Sequence, residues 1–178
     1  MAHLLRIGFD GQPIESFDYE AEDCWYVLNS MAQYNGKIYL SGYAVPKSDH
    51  GNASGQFERL EVWDILMHFM GQSLFDVTSE ELTPMLRDTY TAVLLVCDAD
   101  FKSFETFYSA KGSLGTDLTV NGEGELEWDV ENIVSSVWSP ATNAYTVISF
   151  CNVYRYTFDA SGALKSQDDT GEETAFYR

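Results

Sequence analysis

The side chains best equipped for chemistry in this chain are its acids. Twenty-eight Asp and Glu stand against ten Lys and Arg, a formal charge of −18. Asp98 and Asp100 flank Ala99 where the sequence turns, and neighbouring carboxylates on a turn can hold a hard cation such as calcium. A full twelve-residue calcium loop is missing, and turns also use Asp to accept from their own backbone amides. The expectation is no cofactor, with calcium at Asp98 and Asp100 as the rival reading. Glycoside hydrolysis needs two carboxyls about 5 to 10 Å apart across a cleft. Glu80/Glu81, Glu125/Glu127 and Asp168/Asp169 could supply them, but in so acidic a chain such pairs arise trivially. Glu125 and Glu127 alternate with Leu126 and Trp128, as on the solvated face of a strand.

Other catalytic chemistry finds little footing. His3, His50 and His68 are far apart, and His68 lies in an apolar stretch where a packed imidazole is expected. Cys24, Cys97 and Cys151 form no CxxC pair, so zinc is not expected. Cys97 and Cys151 sit in apolar runs and read as small core residues. Acids beside Cys24 should raise its pKa and keep it unreactive. No nucleophile elbow, dinucleotide fingerprint or phosphate loop occurs. Gly112 to Asp117 has glycines without the lysine of a phosphate cradle and reads as a loop. No catalytic residue is assigned.

Aromatics make up 15% of the chain. Tyr and Trp serve cores and recognition surfaces alike. Trp25, Tyr43, Trp63 and Trp128 are the candidate ligand-binding residues, for a glycan or peptide face.

The elements that must carry these groups read as β-hairpins. Leu5 to Ser16 and Tyr154 to Ser166 share Arg, Phe-Asp, Gly and Ser in order, and Leu94 to Ser103 is a weaker third copy. In this alignment Asp10 and Asp159 take equivalent turn positions. Two further hairpins lie between the copies. One turns at Asn35-Gly36, the strongest short hairpin signal, and the other turns through Ser139 to Asn143. Residues 46–90 interrupt the pattern as an insertion between repeat units. Residues 47–55 have loop composition, and Phe57 to Met70 carries apolar residues at helical spacing. Thr78 and Glu81 suggest a capping box, with a break expected at Thr83-Pro84. Tyr90 to Val96 reads as a buried strand. The acidic stretch from Gln167 to Arg178 is expected to fray.

Five hairpins make two four-stranded units and half of a third. This strand grammar resembles the blades of β-propellers, such as those of bacterial extracytoplasmic proteins. The resemblance implies a mainly β fold of antiparallel blade-like units, as a partial propeller or an open sheet or sandwich, with a short helical insertion around 57–90. The expected domain is 1–178, single or part of a larger array.

The charge speaks against nucleic acid and anionic membrane surfaces as partners. It leaves a cation site or a basic partner as its functional readings. No stretch is long and apolar enough to span a membrane, and no secretory leader is visible. The expected location is extracytoplasmic if a leader precedes this sequence and cytoplasmic otherwise. The functional expectation is a non-catalytic module that recognises a protein, peptide or glycan, or presents a surface for assembly. The alternatives are a carbohydrate-active hydrolase using paired carboxylates and a structural domain that self-assembles through edge strands.

Overall fold

The computed structural model describes residues 2–19, 21–47, 77–98, 101, 103–139 and 146–177. Trp63, His50, His68, Asp100, the 57–70 stretch and the 140–143 turn lie outside the described residues. Within them the chain is mainly β, with one helix. The strands are β1 (Ala2–Ile7), β2 (Pro13–Tyr19), β3 (Cys24–Tyr34), β4 (Lys37–Pro46), β5 (Thr91–Asp98), β6 (Phe104–Lys111), β7 (Ser113–Val120), β8 (Leu126–Ser139), β9 (Thr146–Phe158) and β10 (Leu164–Tyr177). The helix α1 spans Ser79–Thr89. All pairing is antiparallel. β1 and β2 form a two-stranded sheet, β3-β4-β5-β6 a four-stranded one, and β7-β8-β9-β10 another. The 46–90 segment joins β4 to β5, which are neighbours in one sheet, so it interrupts a sheet rather than separating two.

Local sequence explains most of the hairpins. Asn35 and Gly36 have φ of 49° and 73°, the two positive values that a tight two-residue hairpin requires. A second turn type recurs. In residues 159–163 the first amide donates to the fifth carbonyl, and the fourth residue, Gly162 at φ 84°, donates back to the first. Residues 8–12 and 121–125 repeat this, with Gly11 and Gly124 in the fourth place. At Asp98 the fourth residue is Phe101, held at φ 56° while its amide donates to Asp98.

Both end copies are therefore hairpins with the same turn, but the sequence alignment is displaced. Gly8, not Asp10, is structurally equivalent to Asp159. Asp10 accepts from the Gln12 amide, whereas Asp159 accepts from the amides of Ser161 and Ala163 and from the Ser161 hydroxyl.

The central strands β4 and β5 of the β3–β6 sheet are buried on both faces. Leu40, Ala44, Val93 and Leu95 point to one side, where Leu4 and Tyr19 of the β1–β2 hairpin cover them. Tyr39, Tyr43, Ala92 and Leu94 point to the other, where they meet the β7–β10 sheet through Leu114, Leu118, Trp128 and Ile133. A strand covered on both faces needs a near-continuous apolar run, which is why Ala92 to Val96 could be read as buried. The layers are hairpin, sheet, sheet.

The joint between the two large sheets is tight. Gly112 alone links β6 to β7; its amide donates to the Tyr90 carbonyl and its carbonyl accepts from Ile133. Trp128 donates its indole N–H to the Ser41 hydroxyl at 2.8 Å, Asn29 donates to the Gly115 carbonyl, and the Ser30 hydroxyl accepts the Leu118 amide. A side chain at Gly115 would meet the Gly42 carbonyl and Trp128. The expected loop at Gly112 to Asp117 is thus a strand, since Leu114 and Leu118 supply core contacts and Gly115 permits the close approach.

Three further expectations meet the structure. The capping box forms, with Thr78 and Glu81 exchanging side-chain and backbone bonds. The break at Pro84 does not. The helix runs on to Thr89, because burial of Leu82 and Leu86 outweighs the roughly 3 kcal/mol that an interior proline costs. The acidic tail does not fray either: β10 pairs with β9 as far as Tyr177, and Phe176 packs against Tyr43 and Tyr90.

Candidate functional site

Trp128 is fully buried and Tyr43 nearly so, both within the core between the sheets. Their rings meet other aromatics: Tyr108 and Tyr156 at Trp128, and Tyr90 and Phe176 at Tyr43. Trp25 is half-buried on β3, with the Lys47 ammonium 4.7 Å from its ring centroid. The structure therefore does not gather Trp25, Tyr43 and Trp128 on one accessible face.

The acidic pairs are largely engaged with each other's neighbours. Asn121 donates to both Glu125 and Glu127, and Lys165 reaches Glu125 from β10. Arg155 forms two bonds of 2.7 Å to Asp129 and lies 3.8 Å from Glu127. The Lys165 bond holds the Glu125 carboxyl below its ordinary pKa, the opposite of what a general acid needs. Glu81 is likewise held low, by the Thr78 amide it caps. Asp98 is exposed at the end of β5, and no group of three or more His, Cys, Asp and Glu poised for a metal occurs among the described residues. Cys97 and Cys151 are buried as expected. The Cys24 thiol is raised chiefly by burial, with Asp23 adding to it, so the direction expected from its acidic neighbours has a different main cause.

One half-buried carboxylate stands apart. Burial raises the pKa of Glu131 on β8, and the nearby Asp117 adds to this. The sign follows: the charged form is disfavoured by folding, so its cost is absent below the ordinary carboxylate range and full above the raised folded value. Glu131→Gln should raise stability at pH 7 by up to about 1 kcal/mol, a modest figure because solvent screens half-exposed groups. Thermal melts of both proteins at pH 7 and pH 4 check this, with the difference expected to vanish at pH 4.

Two exposed features stand out among the described residues. The first is the β1–β2 hairpin. Leu5, Ile7 and Ile14 are 51%, 55% and 62% exposed, and Phe9 at the tip is fully so. Leu5 pairs with Ser16 and Ile7 with Pro13, which puts Leu5, Ile7 and Ile14 on the face turned away from the rest of the chain. The opposite face spends Leu4 and Tyr19 on the sheet below and stacks Phe17 on Phe101. Asp10 lies in the turn beside the outward apolar group, while Arg6 and Glu15, paired across the strands, alternate onto the opposite face.

The second is a groove of about 630 Å³ between α1 and the β6–β7 junction. Ser79, Glu80, Thr83, Pro84, Arg87 and Asp88 form its helical wall, and Lys111, Gly112 and Val134 the other. Neither feature was assigned from sequence. Exposed Leu5, Ile7 and Ile14 look like ordinary strand residues until the second face of their hairpin is found uncovered. The groove joins residues more than fifty positions apart.

Comparison with known proteins adds no relative: no family model, curated protein or solved structure matches the chain.

Proposed function

We propose that this protein is a non-catalytic recognition module that binds a basic polypeptide partner through the outward face of its β1–β2 hairpin. The two four-stranded sheets serve as blade-like support. The observation that carries the reading is the concentration of Leu5, Ile7, Phe9 and Ile14 on one exposed two-stranded sheet. Exposed apolar clusters mark interaction surfaces. The chain's charge of −18 selects the partner: lysines and arginines around an apolar anchor complement it. A second copy of the chain would bring the same charge and be repelled.

Peptide display against the whole protein tests this. Selection should enrich sequences pairing aromatic or aliphatic anchors with Lys and Arg, and their affinity should fall as salt rises. The Leu5→Ser, Phe9→Ser, Ile14→Ser triple variant should lose about tenfold or more in affinity with its melting temperature little changed. Acidic selected peptides, or equal binding by the triple variant, would sink the proposal. Sedimentation equilibrium should find a monomer; a dimer abolished by the same substitutions would replace the basic partner with self-assembly.

A further inference from the structure

The α1 groove is independent of the hairpin, and its chemistry is polarised along its length. Arg87 lies at one end. Its Cβ, Cγ and Nε run over the Cα of Gly112, where an added Cβ would lie 3.3 to 3.5 Å from them. Glycine at this junction, with φ of 71°, thus gives the arginine a bed to lie on. Among the described residues Arg87 has no carboxylate partner, in a chain with 28 acids. The neighbouring Lys111 and Asp88 pair with each other at 2.7 Å, so among the described residues Arg87 is the groove's cation without a carboxylate partner.

The opposite end carries acceptors. Glu80 is exposed on the same helical face, seven residues before Arg87, or about 10 Å along the axis. Pro84 has no N–H, so the Glu80 carbonyl lacks the helical donor it would otherwise receive. The Glu80 carboxylate and the Ser79 hydroxyl share this wall. Between the two ends lie the Pro84 ring and Val134, which is 47% exposed.

We infer that this groove binds a short peptide with both termini free. Its carboxylate meets the Arg87 guanidinium, its ammonium meets the Glu80 carboxylate, and a middle apolar side chain rests on Pro84 and Val134. Three extended residues span about 10 Å, comparable to the rise of the helix from Glu80 to Arg87. The volume lies within the range of small-ligand sites. A longer chain would have to place an uncharged peptide bond at one of the poles. This site does not depend on the hairpin reading and takes a different ligand.

Calorimetric titration with Ala-Val-Ala tests it, beside its N-acetyl form, its C-terminal amide and free valine. The free tripeptide should bind wild type about tenfold more tightly than either blocked form, since hydrogen bonds to charged groups are the stronger kind. The substitutions should act selectively. Arg87→Gln should bind the acid and the amide alike while still preferring a free amine. Glu80→Gln should ignore acetylation while still preferring the acid. Both residues are exposed, so melting temperatures should stay within a degree or two of wild type. Amide and acetyl forms that bind wild type as well as the free tripeptide would overturn the proposal. So would undetectable binding of Ala-Val-Ala at millimolar concentration, or free valine binding as tightly as the tripeptide.

Discussion

Gly42→Ala should destabilise the protein by about 3 kcal/mol or more, and Gly115→Ala by a similar amount. Overpacking a core typically costs 1–3 kcal/mol because side chains rotate out of the way. At Gly42 that relief is closed off. An added Cβ would collide with the Val27 carbonyl oxygen and fall 2.8 Å from Leu28 Cα, both backbone atoms of the paired strand β3. The β3–β4 register shifts between Leu28 and Ser30, next to this contact, so the bulge and the glycine form one feature. At Gly115 the added atom would lie 2.5 Å from the Gly42 carbonyl, 2.9 Å from Ser41 Oγ and 3.0 Å from the Trp128 ring. Here the substitution pushes one sheet off the other. Urea unfolding measures both costs. Gly122→Ala is the control: nothing lies within 4 Å of its added Cβ, and its effect should stay within about 0.5 kcal/mol. Equal midpoints for all three variants would refute the tight joint.

Trp128→Ala should cost about 3–5 kcal/mol, the range for deleting a large buried aromatic. The indole is fully buried, lies against Tyr108 and Tyr156, and bonds to Ser41 across the sheets. Trp128→Phe separates the two roles. It keeps much of the ring but strands the Ser41 hydroxyl, also fully buried, at a cost of about 1–3 kcal/mol. Ser41→Ala strands the indole N–H instead. Combining Ser41→Ala with Trp128→Phe removes donor and acceptor together, so the double variant should lose less than the sum of the singles. Strict additivity in a double-mutant cycle would show that the 2.8 Å bond contributes nothing.

Local chemistry was the legible part of this sequence. Asn35-Gly36 announced its turn because two adjacent positive φ values are costly for most residues, and Thr78 with Glu81 announced a helix start by mutual bonding. Tyr90 to Val96 announced a strand covered on both sides. The misreadings came where distant contacts decide. Gly115 looked like loop glycine because the Gly42 carbonyl that demands it lies far away in sequence. Asp168, Asp169, Glu172 and Glu173 disguised β10, whose inward anchor is Phe176. Pro84 looked like a stop because the burial of Leu82 and Leu86 is a tertiary fact. Trp25, Tyr43 and Trp128 share no accessible face for the same reason: sequence shows that Trp128 alternates with Glu127 and Asp129, not which side of the strand is covered.

The single-residue passage at Gly112 has a consequence for how the chain reaches its final form. Every strand of the β3–β6 sheet precedes it and every strand of the β7–β10 sheet follows it, so no strand need thread between sheets already formed. The β7–β10 sheet can zip up from neighbouring hairpins, whereas the β3–β6 sheet must also close the long β4–β5 connection, and the docking of the two sheets is a further long-range event. A nick at this one peptide would leave two pieces, each holding a whole sheet, that should find one another again in solution.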